Sequence, residues 1–118
     1  MHAAKVNTIN TIQLIADLEA QKEYEASAPI ADVPSELVNQ WFDDFYHPDS
    51  DWYKEPFTSK ELEVLGEFNS FYDARVSSLP DTLEQMHNCY QWKEIVGKAQ
   101  WVLNILIWQS VVATYDNS

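Results

Sequence analysis

Carboxylates dominate what this chain could do chemically. They stand one helical turn apart at Glu19/Glu23 and Glu63/Glu67, adjacent at Asp43 and Asp44, and alternating at Asp49-x-Asp51 with Glu55 beyond. Grouped carboxylates serve general acid–base catalysis, hold divalent cations, or attract cationic partners. Catalysis finds no company here, because no Gly-rich phosphate loop, nucleophile elbow, HExxH or CxxC motif accompanies them. Metal binding fails on spacing. Asp49-Ser50-Asp51 with Tyr53 and Glu55 opens like a calcium loop, but its sixth position is Lys54 instead of glycine and its twelfth is Lys60 instead of glutamate. His87-x-Cys89 lacks the second half of a zinc site, and residues two apart lie on different helix faces. The residues therefore read as those of a protein that is not an enzyme and takes no metal or cofactor.

Attraction of a cationic partner is the use that remains. From Asp17 to Asp73, fifteen carboxylates stand against only three lysines (Lys22, Lys54 and Lys60), so this segment carries the whole net charge of −12. A solvated helix face ordinarily mixes signs. Here like charges recur at i, i+4 without an opposite charge in the usual salt-bridging register, each pair costing about 0.2–0.5 kcal/mol. Carboxylates one turn apart are about 5–6 Å from each other, and duplex DNA carries one charge per roughly 1.7 Å of axis. Twelve net charges thus match about six base pairs of duplex. Direct nucleic-acid binding is excluded by sign, since the seven basic residues are few and scattered.

Glu19, Glu23, Asp43, Asp44, Asp49, Asp51, Trp52, Glu55, Glu63 and Glu67 are the residues this reading assigns to a partner. Among the aromatics, Trp41, Phe42 and Phe45 read as core. Trp52, Tyr53 and Phe57 sit among Asp49, Asp51 and Glu55, where an aromatic ringed by carboxylates suits arginine or lysine from a partner. Core packing is an equal alternative for these three.

The elements that position these groups are mainly helical. Two glycines in 118 residues are too few for the turns of a sandwich or barrel. Apolar residues at 46% and five tryptophans exclude an acidic disordered tail. The pattern predicts one helix over Val6–Ser27, with Ile9, Ile12, Ile15 and Leu18 recurring, and a second opened by Ser35 with Leu37, Val38, Trp41, Phe42 and Phe45 inward. A loop follows from His47 to Pro56. Thr58-Ser59-Lys60-Glu61 is a capping box that starts a third helix running to about Val76. Ser78-Leu79-Pro80-Asp81 starts a fourth, with a break near Asn88 or Gly97. The apolar element Val96–Val112 is the expected central core piece, and its β-branched content leaves strand and helix both open for 101–115. The expectation is one mainly α domain over 1–118, with α+β as the alternative.

One cysteine, no apolar leader after Met1, and no uncharged stretch of about 20 apolar residues fit a soluble, cytoplasmic monomer. In chain length, net charge and the carboxylate-rich, aromatic-containing stretch from Asp17 to Asp73, the chain resembles small acidic bacterial proteins that mimic DNA, of the kind that binds the histone-like protein HU. That resemblance implies competition with DNA for HU and a role in the nucleoid. On the same features the chain is similar to immunity proteins that neutralise basic toxin nucleases, and to acidic helical adaptors or phage proteins.

Overall fold

A computed structural model describes residues 1–115, and all regular structure among them is helical. The order is α1 Ala3–Ile15, α2 Leu18–Ser27, α3 Val33–Asn39 running into a π-helical turn Gln40–Phe45, α4 Asp51–Lys54, α5 Ser59–Asp73, a 3₁₀ turn Val76–Ser78, α6 Leu83–His87 and α7 Tyr90–Ile105. Helices α1 and α7 pack together at the centre, α5 lies against α7, and the π-turn and α4 cover the other side of α1. No described helix is long and apolar enough to cross a membrane.

The single first helix expected from the sequence is two. α1 ends at Ile15 and Asp17 caps α2, its carboxylate accepting from the Ala20 amide at 3.0 Å. A helix end leaves carbonyls without partners. Gln21, the one buried residue of α2, supplies them: its Nε2 donates to the carbonyls of Leu14 and Ile15, both at 3.0 Å. Its Oε1 accepts from Trp92 Nε1 at 3.1 Å and His87 Nε2 at 2.8 Å. One fully buried amide thus joins α1, α2, α6 and α7 with its polar atoms satisfied.

The second helix starts earlier than expected, with Asp32 rather than Ser35 as cap, and then changes pitch. The Tyr46 amide reaches back five residues to the Trp41 carbonyl at 3.2 Å. The wider turn shifts the phase, so Tyr46 takes the inward position that strict α spacing assigns to Phe45. Tyr46 stacks on Trp41 with centroids 4.4 Å apart, while Phe42 and Phe45 are half-buried. Trp41 is fully buried, its Nε1 donating to Asn69 Oδ1 at 3.1 Å.

The capping box forms as the sequence predicts. Thr58 Oγ1 accepts from the Glu61 amide at 3.1 Å, and Glu61 Oε1 accepts from the Thr58 amide at 2.8 Å. Its helix α5 stops at Asp73 rather than Val76, and the fourth helix is α6, capped by Thr82. The break falls at Asn88–Cys89, leaving Gly97 inside α7. The 101–115 segment is helix to Ile105 and irregular beyond it, with no strand among the described residues. It returns Trp108 and Ala113 to the core, but α1 is as central, contributing Val6, Ile9, Ile12 and Ile15.

Candidate functional site

Thirteen of the fifteen carboxylates between Asp17 and Asp73 are exposed; Glu36 is half-buried and Glu61 buried. Glu61 has left the acidic surface because three groups hold it: both halves of the capping box and Lys5 Nζ at 3.2 Å. All ten residues assigned to a partner from the sequence are on the surface. They do not form one set.

The largest group surrounds α4 and the π-turn. Ser50 caps α4, its side chain accepting from the Tyr53 amide at 3.2 Å, and this sets Asp51 and Trp52 outward while Tyr53 turns in. Tyr53 is anchored by a 2.7 Å hydrogen bond with Thr8 of α1, and Phe57 packs on it with centroids 5.1 Å apart. Burial keeps the Tyr53 hydroxyl protonated well above its ordinary range. Tyr53 and Phe57 are therefore core, and only Trp52 of the three open aromatics is available to a partner, at 58% exposure. It is braced by the His2 ring, 4.5 Å away between centroids and tilted by 48°.

The loop before α4 folds back on the π-turn: His47 Nε2 bonds the Asp44 carbonyl at 2.9 Å, and the Ser50 amide donates to the His47 carbonyl at 3.0 Å. Asp43, Asp44 and Asp49 are exposed on this turn and loop. Burial, with the Asp49 charge second, raises the Tyr46 pKa above 10.0. The Tyr46 hydroxyl lies beside Gly66, 4.0 Å from where a Cβ would stand, an ordinary contact distance. Glu63 is one turn before Gly66, and Asp73 lies two turns after it on the same flank of α5. Asp43, Asp44, Asp49, Asp51, Trp52 and Glu55 are thus exposed along one stretch of chain around the aromatic hinge, and Glu63 is exposed on α5, whose Gly66 meets Tyr46. Asp73 is exposed on the same helix, although the sequence reading did not single it out. Its signal was the seven-residue step from Gly66, legible only once Gly66 was known to face Tyr46.

Three residues of the original ten separate from this group. Glu19 and Glu23 are on α2, which packs at the far end of α1, about 20 Å away by helix length. Glu67, one turn after Glu63 on the same face of α5, is tied to α7, where Lys98 Nζ meets it at 3.0 Å. The expectation that the like-charge pairs lack partners is corrected for two of their four members. Glu19 pairs with Lys22 at 3.3 Å and Glu67 with Lys98, while Glu23 and Glu63 have no ion pair among the described residues. Among the described residues, only Asp51 of those around α4 and the π-turn has a cation, Lys54 at 3.6 Å, and both side chains are solvated enough that the pair contributes little.

Chemically, this stretch offers solvent-facing carboxylates and an exposed indole. Among the described residues no three His, Cys, Asp or Glu side chains converge as a metal-binding set. The chain matches no protein-family model, no curated protein and no solved structure.

Proposed function

We propose that the protein is a non-enzymatic acidic ligand that occupies the DNA-binding surface of a basic protein such as the histone-like protein HU and competes there with DNA. The observation that carries this reading is the state of the carboxylates around α4 and the π-turn. Asp43, Asp44, Asp49 and Glu63 are exposed, and none has an ion pair among the described residues. Surface anions left without counter-charges raise the self-repulsion of the folded state and create a field that draws in a cationic surface. The rigid hinge beneath them, Trp41 on Tyr46 and Tyr53 on Phe57, keeps their spacing fixed and lowers the ordering cost of association.

The test is displacement of a short labelled duplex from purified HU, followed by fluorescence anisotropy. The wild-type chain displaces the duplex, and displacement weakens as salt rises because the attraction is screened beyond about 10 Å at 0.1 M. A variant with Asp43, Asp44, Asp49 and Asp51 all changed to lysine loses it. Equal displacement by that variant rejects the proposal.

A second reading, an immunity protein that neutralises a basic toxin nuclease, is favoured by Trp52. An exposed indole beside Asp49, Asp51 and Glu55 is the kind of anchor that carries a tight, single-partner interface. Under that reading Trp52→Ala weakens binding as much as the charge reversals do. Under DNA mimicry it matters far less.

A further inference from the structure

Every exposed charged side chain among the described residues lies between Asp17 and Lys93. The two longest runs without Asp, Glu, Lys or Arg are 6–16 and 99–115, and the fold packs one against the other. Helix α1 lies on α7, Gln13 Nε2 donates to the carbonyls of Trp108 at 3.0 Å and Val111 at 2.7 Å, and the Tyr115 hydroxyl donates to Asn7 Oδ1 at 2.6 Å. Core packing explains why the inward members of these runs are apolar. It does not explain the outward ones. Ile105, Ile107 and Val112 are exposed aliphatics, Ile107 at 79% and Val112 at 84%, and Asn104 and Gln109 near them in sequence are exposed and uncharged, as is Asn10 in the other run.

Ile107 adds an independent observation. It follows the end of α7 with φ 57°, while the Trp108 amide closes the helix by donating to the Leu103 carbonyl at 2.8 Å. That left-handed position suits glycine or asparagine, and a β-branched residue there is strained. Within one copy of the chain, the strained side chain covers almost nothing. At the segment from Gln109 to Val112 an open groove of about 800 Å³ runs between the α1–α2 corner, α7 and the chain after α7, with Leu18, Leu103, Val111 and Val112 in its lining. The two carboxylates at its edge are exposed, Asp17 capping α2 and Glu19 in a solvated pair with Lys22.

We propose that this end, where residues 99–115 carry no charged side chain, is a homodimer interface, in which Ile107 and Val112 of each copy are covered by the other. In a two-fold contact a surface patch meets itself, so a charge near the axis faces its own like. For a chain of net charge −12, two copies can meet closely only where exposed charge is missing, and here that place coincides with exposed aliphatic side chains. The contact replaces the monomer expected from the sequence. It leaves α4 and the π-turn free on both copies.

Sedimentation equilibrium of the full chain over a range of concentrations tests this. The expected mass is twice 13.7 kDa, and association tightens as salt rises, because salt screens repulsion between two anionic globules and spares an apolar contact. That sign is opposite to the one expected for displacement of DNA from HU, so either proposal can fail alone. Ile107→Asn relieves the backbone strain and keeps the helical circular dichroism, yet weakens the dimer about tenfold or more, as loss of a central apolar contact does. Val112→Lys, at a site exposed in the single chain, does the same, and Trp52→Ala leaves the dimer intact. A monomer mass at every concentration and salt overturns the proposal. So does a dimer that neither Ile107→Asn nor Val112→Lys weakens.

Discussion

Toward α7, the flank of α5 is joined by charge. Lys98 meets Glu67 at 3.0 Å and lies 3.7 Å from the centre of the Trp101 ring, while Arg75 meets Glu94 at 3.6 Å and stacks 3.5 Å over Phe71. Toward the π-turn, the opposite flank has no such pair among the described residues. It is joined by aromatic rings: Trp41 edge-on to Phe68, Phe42 against Tyr72, and Tyr46 beside Gly66. Carboxylates line both flanks; Lys98 and Arg75 tie α5 to α7, and Lys5 of α1 ties Glu61 at the start of α5. Where this protein places arginine and lysine beside α5, it uses them as structural ties, while Glu63 and Asp73 on the same helix have no ion pair among the described residues.

The largest consequence concerns stability. Trp41 is fully buried in the aromatic flank, and Trp41→Ala removes its ring and orphans Asn69, costing about 3–5 kcal/mol. Phe71 on the charged flank is half-buried, and Phe71→Ala costs roughly half as much. Urea unfolding curves measure both. Equal losses would mean that the two flanks contribute alike and that the contrast between them is superficial.

Alkaline pH gives the next effect, and it is confined to the aromatic flank. Burial raises the pKa of Tyr46, Tyr53 and Tyr72 above the ordinary value of 10.0, with Asp49 adding to the shift at Tyr46. Each group is more easily ionised in the unfolded chain than in the folded one. Their contribution to stability is therefore fully present below pH 10 and is lost as pH climbs through the folded-state values. Thermal unfolding midpoints should fall steeply above pH 10. Tyr46→Phe should reduce that slope, and Asp49→Asn should reduce it slightly. A slope indifferent to Tyr46→Phe would place the alkaline lability elsewhere.

The sequence disclosed this contrast unevenly. Helix α5 was readable to the residue at its start because Thr58 and Glu61 satisfy each other within four positions, a local transaction that needs no tertiary context. The π-turn was not readable, since its extra residue is set by Trp41 reaching Asn69 twenty-eight positions away. Apolar spacing therefore put Phe45 where Tyr46 belongs. The α1–α2 break was hidden for the same reason: Gln21 looks like a solvated helix residue until Trp92 and His87 are brought to it. Excess negative charge was plain from composition. Its division into a paired and an unpaired share was not, because Glu67 finds Lys98 thirty-one residues on, and nothing in local register announces it.

The smallest expected effect is the most discriminating, because its sign differs between a paired and an unpaired carboxylate of one helix. Lys98→Ala removes the tie to Glu67 and the stacking on Trp101, and with an 18% exposed side chain it should cost about 1 kcal/mol. Glu63→Gln, one turn from Glu67 on the same helix, removes a like-charge neighbour and has no ion pair to lose, so it should stabilise the fold by about 0.3 kcal/mol. The same change should weaken displacement of DNA from HU, if Glu63 belongs to the partner-facing group. A residue whose charge slightly destabilises its own fold and strengthens a contact with another protein is under opposite demands, as functional surface residues often are. Paired measurement of unfolding midpoint and displacement for Glu63→Gln separates the possibilities. A gain in stability with a loss of displacement supports the division of the α5 carboxylates into a structural share and a recognition share. A loss in both would show that Glu63 is a structural residue after all, and the unpaired carboxylates would then need another explanation.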